Sequence, residues 1–151
     1  MVQCADSLVW EVVRRNNCFL KKRSGKTKRS GTISFSSEEG NLASLSQFKY
    51  SGLANSKVFD VACTDDNKAE LVIKTSSKAS SQLSKTHATI ALNKSDFRKV
   101  EKTIKNTTSK VFYRRDLESA ALAKWTKVYT ANKRANGTLK TRPCKKGRGS
   151  L

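Results

Sequence analysis

Positive charge is the feature that most constrains what this chain can fold into. Its 151 residues carry 31 Lys and Arg against 12 Asp and Glu, a formal net charge of +19. Self-repulsion on this scale disfavours a compact state unless a polyanion neutralises it. The excess is also segregated, because residues 76–151 hold 19 of the basic side chains and 4 of the acidic ones. This asymmetry predicts a nucleic-acid partner, with an anionic membrane as the weaker alternative.

The hydrophobic pattern argues against membrane and secreted proteins. Hydrophobic residues make up 36% of the chain, and no apolar run approaches the roughly 20 residues that a membrane helix needs. The first residues include Asp6 and Glu11 and no basic region before the apolar stretch, unlike a secretory signal. The ends show neither a myristoylation glycine nor a prenylation cysteine. We therefore expect a cytoplasmic protein without a membrane partner.

The cysteines give no sign of a metal site. They lie at positions 4, 18, 63 and 144, so no pair has the CxxC spacing that presents two thiolates to one zinc ion. In a reducing compartment we expect no disulfides. Cys18, beside Phe19 and Leu20, is predicted to be a small buried hydrophobic residue. The sequence thus predicts no metal and no other cofactor.

No set of residues suggests catalysis. His87 is the single histidine and has no serine or cysteine motif around it. Two adjacent acidic pairs, Glu38-Glu39 and Asp65-Asp66, lie in predicted turns, and we interpret both as solvated turn residues. The phosphate-binding patterns GxxxxGK[ST] and GxGxxG are absent. We expect neither enzymatic activity nor a small-molecule substrate.

Periodicity predicts an α+β fold: a small antiparallel sheet, an N-terminal helix, two C-terminal helices and a basic extended tail. The first helix follows Asp6-Ser7, either of which can cap it. Strands are predicted at 18–20, 32–36, 57–63, 69–74 and 87–92, with a hairpin turn at 64–67 and a loop over 75–86. The second helix is expected to start after a cap at Asn93 or Ser95, and the third near Asp116.

These elements predict one domain and a tail. Residues 1–131 are expected to form a single α+β RNA-binding domain, and residues 132–151 a basic C-terminal tail, extended or disordered without RNA. The predicted core comprises Trp10, Phe19, Phe35, Phe59, Ile73, Phe97, Ile104, Leu117 and Trp125.

Three basic clusters are the candidate binding sites: residues 21–29 in a predicted hairpin tip, Arg114-Arg115, and residues 133–148. Lysine and arginine neutralise phosphates, and arginine also stacks on exposed bases. No helix-turn-helix or zinc finger is visible, so a tip and a tail threading into folded RNA are favoured over duplex DNA reading. The predicted RNA-binding residues are Lys21, Lys22, Arg23, Lys26, Lys28, Arg29, Lys49, Tyr50, Arg114, Arg115, Lys133, Arg134, Lys140, Arg142, Lys145, Lys146 and Arg148. Tyr113 is a further candidate for base stacking.

Three blocks of the sequence stand out together. The first is LVWEVVRRNNCFL at 8–20. The second comprises Asn41-Leu42 and FKYSGLAN at 48–55, and the third Leu92-Asn93-Lys94, YRRDL at 113–117 and AAL at 120–122. In this order the three blocks resemble a known family, the eukaryote-specific large-subunit ribosomal protein number twenty-eight. Arg115 stands where the family often has proline, which would otherwise pre-set the entry into the next helix.

The resemblance implies a structural constituent of the cytosolic large ribosomal subunit, assembled in the nucleolus. Its partners would be ribosomal RNA and neighbouring large-subunit proteins. The first three quarters also resemble a family of nucleolar ribosome-assembly factors, whose members are longer and end in acidic regions. An assembly factor and a non-ribosomal RNA-binding protein are therefore the alternatives.

Overall fold

A computed structural model of the chain describes residues 4–24, 29, 31–74, 85–92 and 96–139. Within these residues the fold is α+β, as predicted. The described helices are α1 (Asp6–Val13), α2 (Phe97–Thr108) and α3 (Glu118–Ala135), and the strands are β1 (Leu20–Ser24), β2 (Thr32–Ser36), β3 (Phe59–Cys63), β4 (Ala69–Lys74) and β5 (His87–Leu92). Short 3-10 turns occupy Phe48–Tyr50 and Arg115–Leu117. No helix in the described ranges is long and apolar enough to cross a membrane.

Strands β1 and β2 form a two-stranded antiparallel sheet of their own, with Leu20 opposite Ser36 and Arg23 opposite Ile33. The strand predicted at 32–36 is confirmed. The strand predicted at 18–20 was placed too early, because β1 begins at Leu20 and runs to Ser24. The first three cations of the predicted hairpin tip are consequently strand residues.

Strands β3, β4 and β5 form a second antiparallel sheet in that order. The predicted hairpin is confirmed, and its turn contains Asn67 at φ 55°, a left-handed conformation that asparagine tolerates. Phe59 faces Ile73 and Val61 faces Leu71 across the ladder, so these side chains share one face of the sheet.

The core lies between that face and the two C-terminal helices. Ile104 of α2 and Trp125 of α3 are buried in one cluster with Phe59, Val61 and Leu71. Of the predicted core residues, Phe59, Ile104, Leu117 and Trp125 are buried, and Ile73 packs against the cluster while partly exposed.

The prediction of burial was wrong for Phe19, Phe35 and Phe97, which are exposed. Phe35 lies on the β1–β2 sheet, which is separate from the sheet that the helices cover. Phe97, in the first turn of α2, touches the edge of the core, with its ring centroid 5.6 Å from that of Trp125. Trp10 is half-buried beside Phe48.

Two other burial predictions were also wrong. Cys18 is exposed, because it lies in the turn before β1 rather than on a strand. Glu38 is not a solvated turn residue: it is 6% exposed. Its carboxylate accepts hydrogen bonds from Asn41 Nδ2 at 2.9 Å, Ser51 Oγ at 3.1 Å and the Leu53 N–H at 3.4 Å. Asp65 and Asp66, by contrast, are exposed in their turn as predicted.

The hydrogen bonds of the Glu38 carboxylate connect the start of the segment between β2 and β3 with later residues of the same segment. Gly40 and Gly52 meet backbone to backbone there, and a Cβ on Gly52 would overlap the carbonyl of Glu39. Lys74 joins this segment to β4, since its Nζ donates to the carbonyls of Gly52 at 3.1 Å and Asn55 at 2.9 Å. Burial lowers the pKa of Lys74, while the charges of Asp6 and Glu38 oppose that shift.

Helix ends differ from the predicted caps. Ala5 is the N-cap of α1, and the Asp6 carboxylate instead accepts from the N–H and hydroxyl of Ser56, both at 2.9 Å. In α2 the N-cap is Asp96, whose side chain accepts from the Arg98 N–H. Helix α3 continues to Ala135, beyond the predicted start of the tail at Asn132, and Asn132 is buried with its Oδ1 3.1 Å from Cys63 Sγ.

Tyr113 closes the open end of the β3–β4 ladder. Its hydroxyl accepts from the Val58 N–H at 3.1 Å and lies 3.1 Å from the carbonyl oxygens of both Val58 and Lys74. Burial raises the pKa of this phenol, with the backbone hydrogen bonds and Arg114 opposing the shift. The side chain thus fastens the connection between α2 and α3 to the sheet.

Replacing Glu38 by Gln should destabilise the protein by about 1–3 kcal/mol, because the new amide N–H₂ group would face hydrogen-bond donors. Urea unfolding of the full chain, followed by tryptophan fluorescence, measures the change. Glu39→Gln is the matched control, since this neighbouring side chain is 73% exposed, and it should stay within about 0.5 kcal/mol. Equal effects of the two variants would contradict the role assigned to Glu38.

Tyr113→Phe should cost about 1–3 kcal/mol of stability at neutral pH, because it leaves buried backbone groups without a partner. The unfolded phenol ionises near pH 10, whereas the folded pKa is raised. The stability from this hydroxyl is therefore full below about pH 10 and is lost as pH rises through the folded pKa. Urea unfolding of both proteins from pH 7 to pH 11 should show the difference narrowing. A difference that widens would refute the assignment.

Candidate nucleic-acid interface

One face of the β1–β2 sheet alternates cations with apolar side chains. Lys21 is paired with Phe35 and Arg23 with Ile33, and directly opposed residues share a face. All four side chains are exposed. Lys22 is exposed on the opposite face. We call the set Lys21, Arg23, Ile33 and Phe35 the hairpin face; it combines phosphate-binding charge with apolar surface.

Several predicted contact residues lie outside the described part of the chain. They are Lys26, Lys28, Lys140, Arg142, Lys145, Lys146 and Arg148. Arg29, between the first two, is described and exposed, as is Arg134 near the end of α3.

Arg114 is engaged inside the protein. Its guanidinium donates to the carbonyls of Lys57 at 2.8 Å and Lys49 at 2.5 Å, and pairs with the Asp116 carboxylate at 3.0 and 3.2 Å. Its side chain is only 14% exposed. The backbone is left-handed at this residue, φ 49°. Arg114 therefore holds three segments together. Most of its guanidinium N–H groups already donate within the protein, so few remain for a ligand.

Around Arg114 lies a shallow groove of about 400 Å³. The groove is lined by Asp6, Phe48, Lys49, Asn55, Ser56, Lys57, Arg114 and Asp116. Lys49 and Lys57 are exposed and add two cations to it. Lys57 was not singled out from the sequence, because it is an isolated lysine at the start of the strand predicted at 57–63, and no basic cluster surrounds it; the strand itself begins at Phe59.

Of the two predicted stacking tyrosines, Tyr113 is half-buried with its hydroxyl bound to the sheet, and Tyr50 is partly committed to the core. Tyr50 packs against the core cluster with Lys49 Nζ 5.7 Å from its ring centroid. Tyr129 stacks on buried Trp125 with ring centroids 5.2 Å apart, and Lys133 Nζ lies 4.6 Å from the Tyr129 centroid. Lys133 and Tyr50 are thus both half-buried, and Lys133 lies along the ring of Tyr129.

The connection after α2, residues Lys110–Arg115, exposes apolar side chains that were not predicted from the sequence as contact residues. Val111 is 69% exposed and Phe112 is 73% exposed. The Arg115 guanidinium lies over the Phe112 ring, 5.3 Å from its centroid. The sequence signal that could have indicated this contact is an aromatic residue, Phe112, between the cations Lys110 and Arg114. We refer to these six residues as the 110–115 loop.

Most carboxylates have partners within the protein. Glu118 accepts from the hydroxyls of Ser109 and Thr108, and the Ser109 hydrogen bond lowers the pKa of Glu118. Asp60 pairs with Lys124 at 2.5 Å. The lysine and arginine residues that form ion pairs within the described ranges are Arg14, Lys68, Lys105, Arg114 and Lys124. The other described cations are left without a carboxylate partner, so the surface field is positive.

Metal binding finds no support in the described ranges, where no group of three or more His, Cys, Asp or Glu side chains is arranged to hold an ion. His87 Nδ1 lies 3.4 Å from Glu39 Oε1. No nucleophile accompanies the pair among the contacts of the described residues.

Comparison with known proteins identifies the family. A model of the ribosomal L28e protein family matches residues 8–131. The large ribosomal subunit protein eL28 of Dictyostelium discoideum is 31% identical over 130 residues, covering 84% of this chain and 88% of that protein. The proteins of the same name from Caenorhabditis elegans and Schizosaccharomyces pombe are 34% and 27% identical, covering 68% and 85% of this chain and 74% and 93% of their own lengths. The chain belongs to the ribosomal L28e protein family.

Proposed function

We propose that the protein is a structural constituent of the cytosolic large ribosomal subunit that binds ribosomal RNA through its exposed basic surface. The family match over residues 8–131 carries this proposal. The three relatives compared above are each named as a protein of the large ribosomal subunit. The proposal includes neighbouring large-subunit proteins as partners, assembly in the nucleolus, and no enzymatic activity.

The distribution of charge supports RNA as the partner. The chain has a net charge of +19, and its acidic side chains bind mainly to protein groups such as Lys124, Arg114 and the Ser51 hydroxyl. The unpaired cations then repel one another until a polyanion neutralises them. Each phosphate bound in this way also releases condensed counterions, which favours association.

The contact residues fall into three groups. The first group would contact RNA directly. It comprises the hairpin face with Lys22 and Arg29, the groove cations Lys49 and Lys57, and the exposed Arg115 and Arg134. Tyr50, with its partly exposed ring, and Lys133 are secondary contacts. Arg114 would act by holding the groove in shape, given its three protein partners.

We further propose that the remaining predicted cations extend this surface. Lys26 and Lys28 continue the cluster that β1 begins, and Lys140, Arg142, Lys145, Lys146 and Arg148 continue the basic segment that follows α3. The predicted division between a domain at 1–131 and a tail at 132–151 falls inside α3, so we propose that the domain continues through this helix and that the tail after it is extended or disordered without RNA. Because α3 continues to Ala135, a deletion of the tail should begin at Lys140.

Co-sedimentation tests the ribosomal assignment. The protein should be present at one copy per large subunit in polysomes after a high-salt wash, because a structural constituent stays bound during translation. Sucrose-gradient fractionation with quantitative mass spectrometry measures this ratio. Enrichment only in precursor particles would indicate an assembly factor, and absence from both fractions would contradict any ribosomal role.

RNA binding by the full chain should weaken steeply with salt. If about six phosphates are neutralised, log K should fall against log salt with a slope of roughly −4 to −5. Lys21→Gln with Arg23→Gln should reduce the magnitude of this slope by about 1.4–1.8, since each lost phosphate contact removes about 0.7–0.9. Fluorescence anisotropy with large-subunit RNA fragments at several salt concentrations measures both slopes.

The matched control is Lys68→Gln with Lys105→Gln. It removes the same amount of charge from residues already paired with Asp66 and Glu101. This variant should change the slope by clearly less than the hairpin variant does. A flat salt response of the unmodified chain would overturn the electrostatic account, and equal effects of the two variants would exclude the hairpin face as a contact.

A further inference from the structure

The 110–115 loop has a strained backbone and exposes the aromatic ring of Phe112 to solvent. Phe112 has φ 54° and Arg114 φ 49°, both left-handed. This conformation is unusual for bulky residues and persists only where surrounding contacts enforce it. In a loop that served only as a connection, glycine would relieve the strain at either position. Two such residues in one short loop therefore point to a constraint on where the Phe112 side chain is placed.

Tyr113 and Arg114, the two residues after Phe112, fasten the loop to the rest of the protein. The Tyr113 N–H donates to the carbonyl of Thr108 at 2.9 Å, which closes the end of α2. The Tyr113 hydroxyl is bound to the backbone of Val58 and Lys74, and Arg114 to that of Lys49 and Lys57. The tip, Val111-Phe112, is thus presented by a fixed base, which reduces the entropy lost when a ligand binds.

The surroundings of the ring are cationic. Arg115 lies over one face of Phe112, with its guanidinium carbon 5.3 Å from the ring centroid, and exposed Lys110 is at the start of the loop. The nearest acidic residues in sequence are engaged elsewhere, Asp116 with Arg114 and Glu118 with the hydroxyls of Thr108 and Ser109. Cations beside the ring would contribute little to binding an apolar groove of a protein. They would neutralise the phosphates that flank a nucleobase.

We propose that the 110–115 loop is a stacking platform for one unpaired nucleobase of the bound RNA. The base would lie on the face of Phe112 opposite Arg115, with Val111 against its edge and Lys110 and Arg115 near the flanking phosphates. Aromatic–base stacking of this kind is tolerant of sequence and requires a base that is not already stacked in a duplex. This inference rests on the proposed function, because it adds a specific contact to RNA binding.

Two RNA hairpins of equal length test the platform with the full-length protein. One hairpin is fully paired and the other carries a bulge of unpaired adenosines. The unmodified protein should bind the bulged hairpin more tightly, and Phe112→Ala should lower that affinity by roughly ten- to a hundredfold while leaving the affinity for the paired hairpin within about twofold. Because Phe112 is 73% exposed, the urea midpoint of the variant should not move.

Two further variants separate stacking from general apolar contact. Phe112→Tyr keeps an aromatic face and should retain the preference for the bulge, whereas Phe112→Leu keeps apolar surface without a π-face and should lose it. If the Ala or the Leu variant preferred the bulged hairpin as strongly as the unmodified protein does, the platform would be overturned. Absence of salt-dependent binding to either hairpin would instead contradict the proposed function itself.

Discussion

The buried carboxylate of Glu38 is the interaction on which the order of the N-terminal half depends. An ion removed from water costs several kcal/mol unless other groups satisfy it. Here the donors come from Asn41, Ser51 and Leu53, so the segment between β2 and β3 must return to Glu38 to provide them. Lys74 supplies charge of opposite sign and ties the same segment to the three-stranded sheet.

A second principle is the unequal use of the two signs of charge. Carboxylates bind to hydroxyls, backbone N–H groups and a few cations, as Glu118 does at the junction of α2 and α3. Most described cations remain on the surface without a carboxylate. The protein can therefore keep ordered polar links inside while presenting a positive surface to a polyanion. Arg114 combines both roles, since it pairs with the Asp116 carboxylate and also binds the backbone of Lys49 and Lys57, which line the groove.

The elements of the fold were largely predictable, because each reflects a local period. The strand at 32–36, the hairpin around residues 64–67 and the third helix, expected to start near Asp116, all appear in the structure. Burial was less predictable. An alternating strand such as β2 shows that one face differs from the other, but not whether another layer covers it, and Phe35 remains exposed for that reason.

The sequence by itself determined the α+β class, the basic clusters and the resemblance to a ribosomal protein family, since these depend on composition, short-range spacing and ordered motifs. Only the tertiary structure decided which charged groups are free. Glu38 and Arg114 looked like ordinary surface residues, yet both bind groups distant in sequence. It also decided that Phe112 stands in solvent. Such roles arise from long-range contacts and backbone strain, which local sequence patterns do not encode.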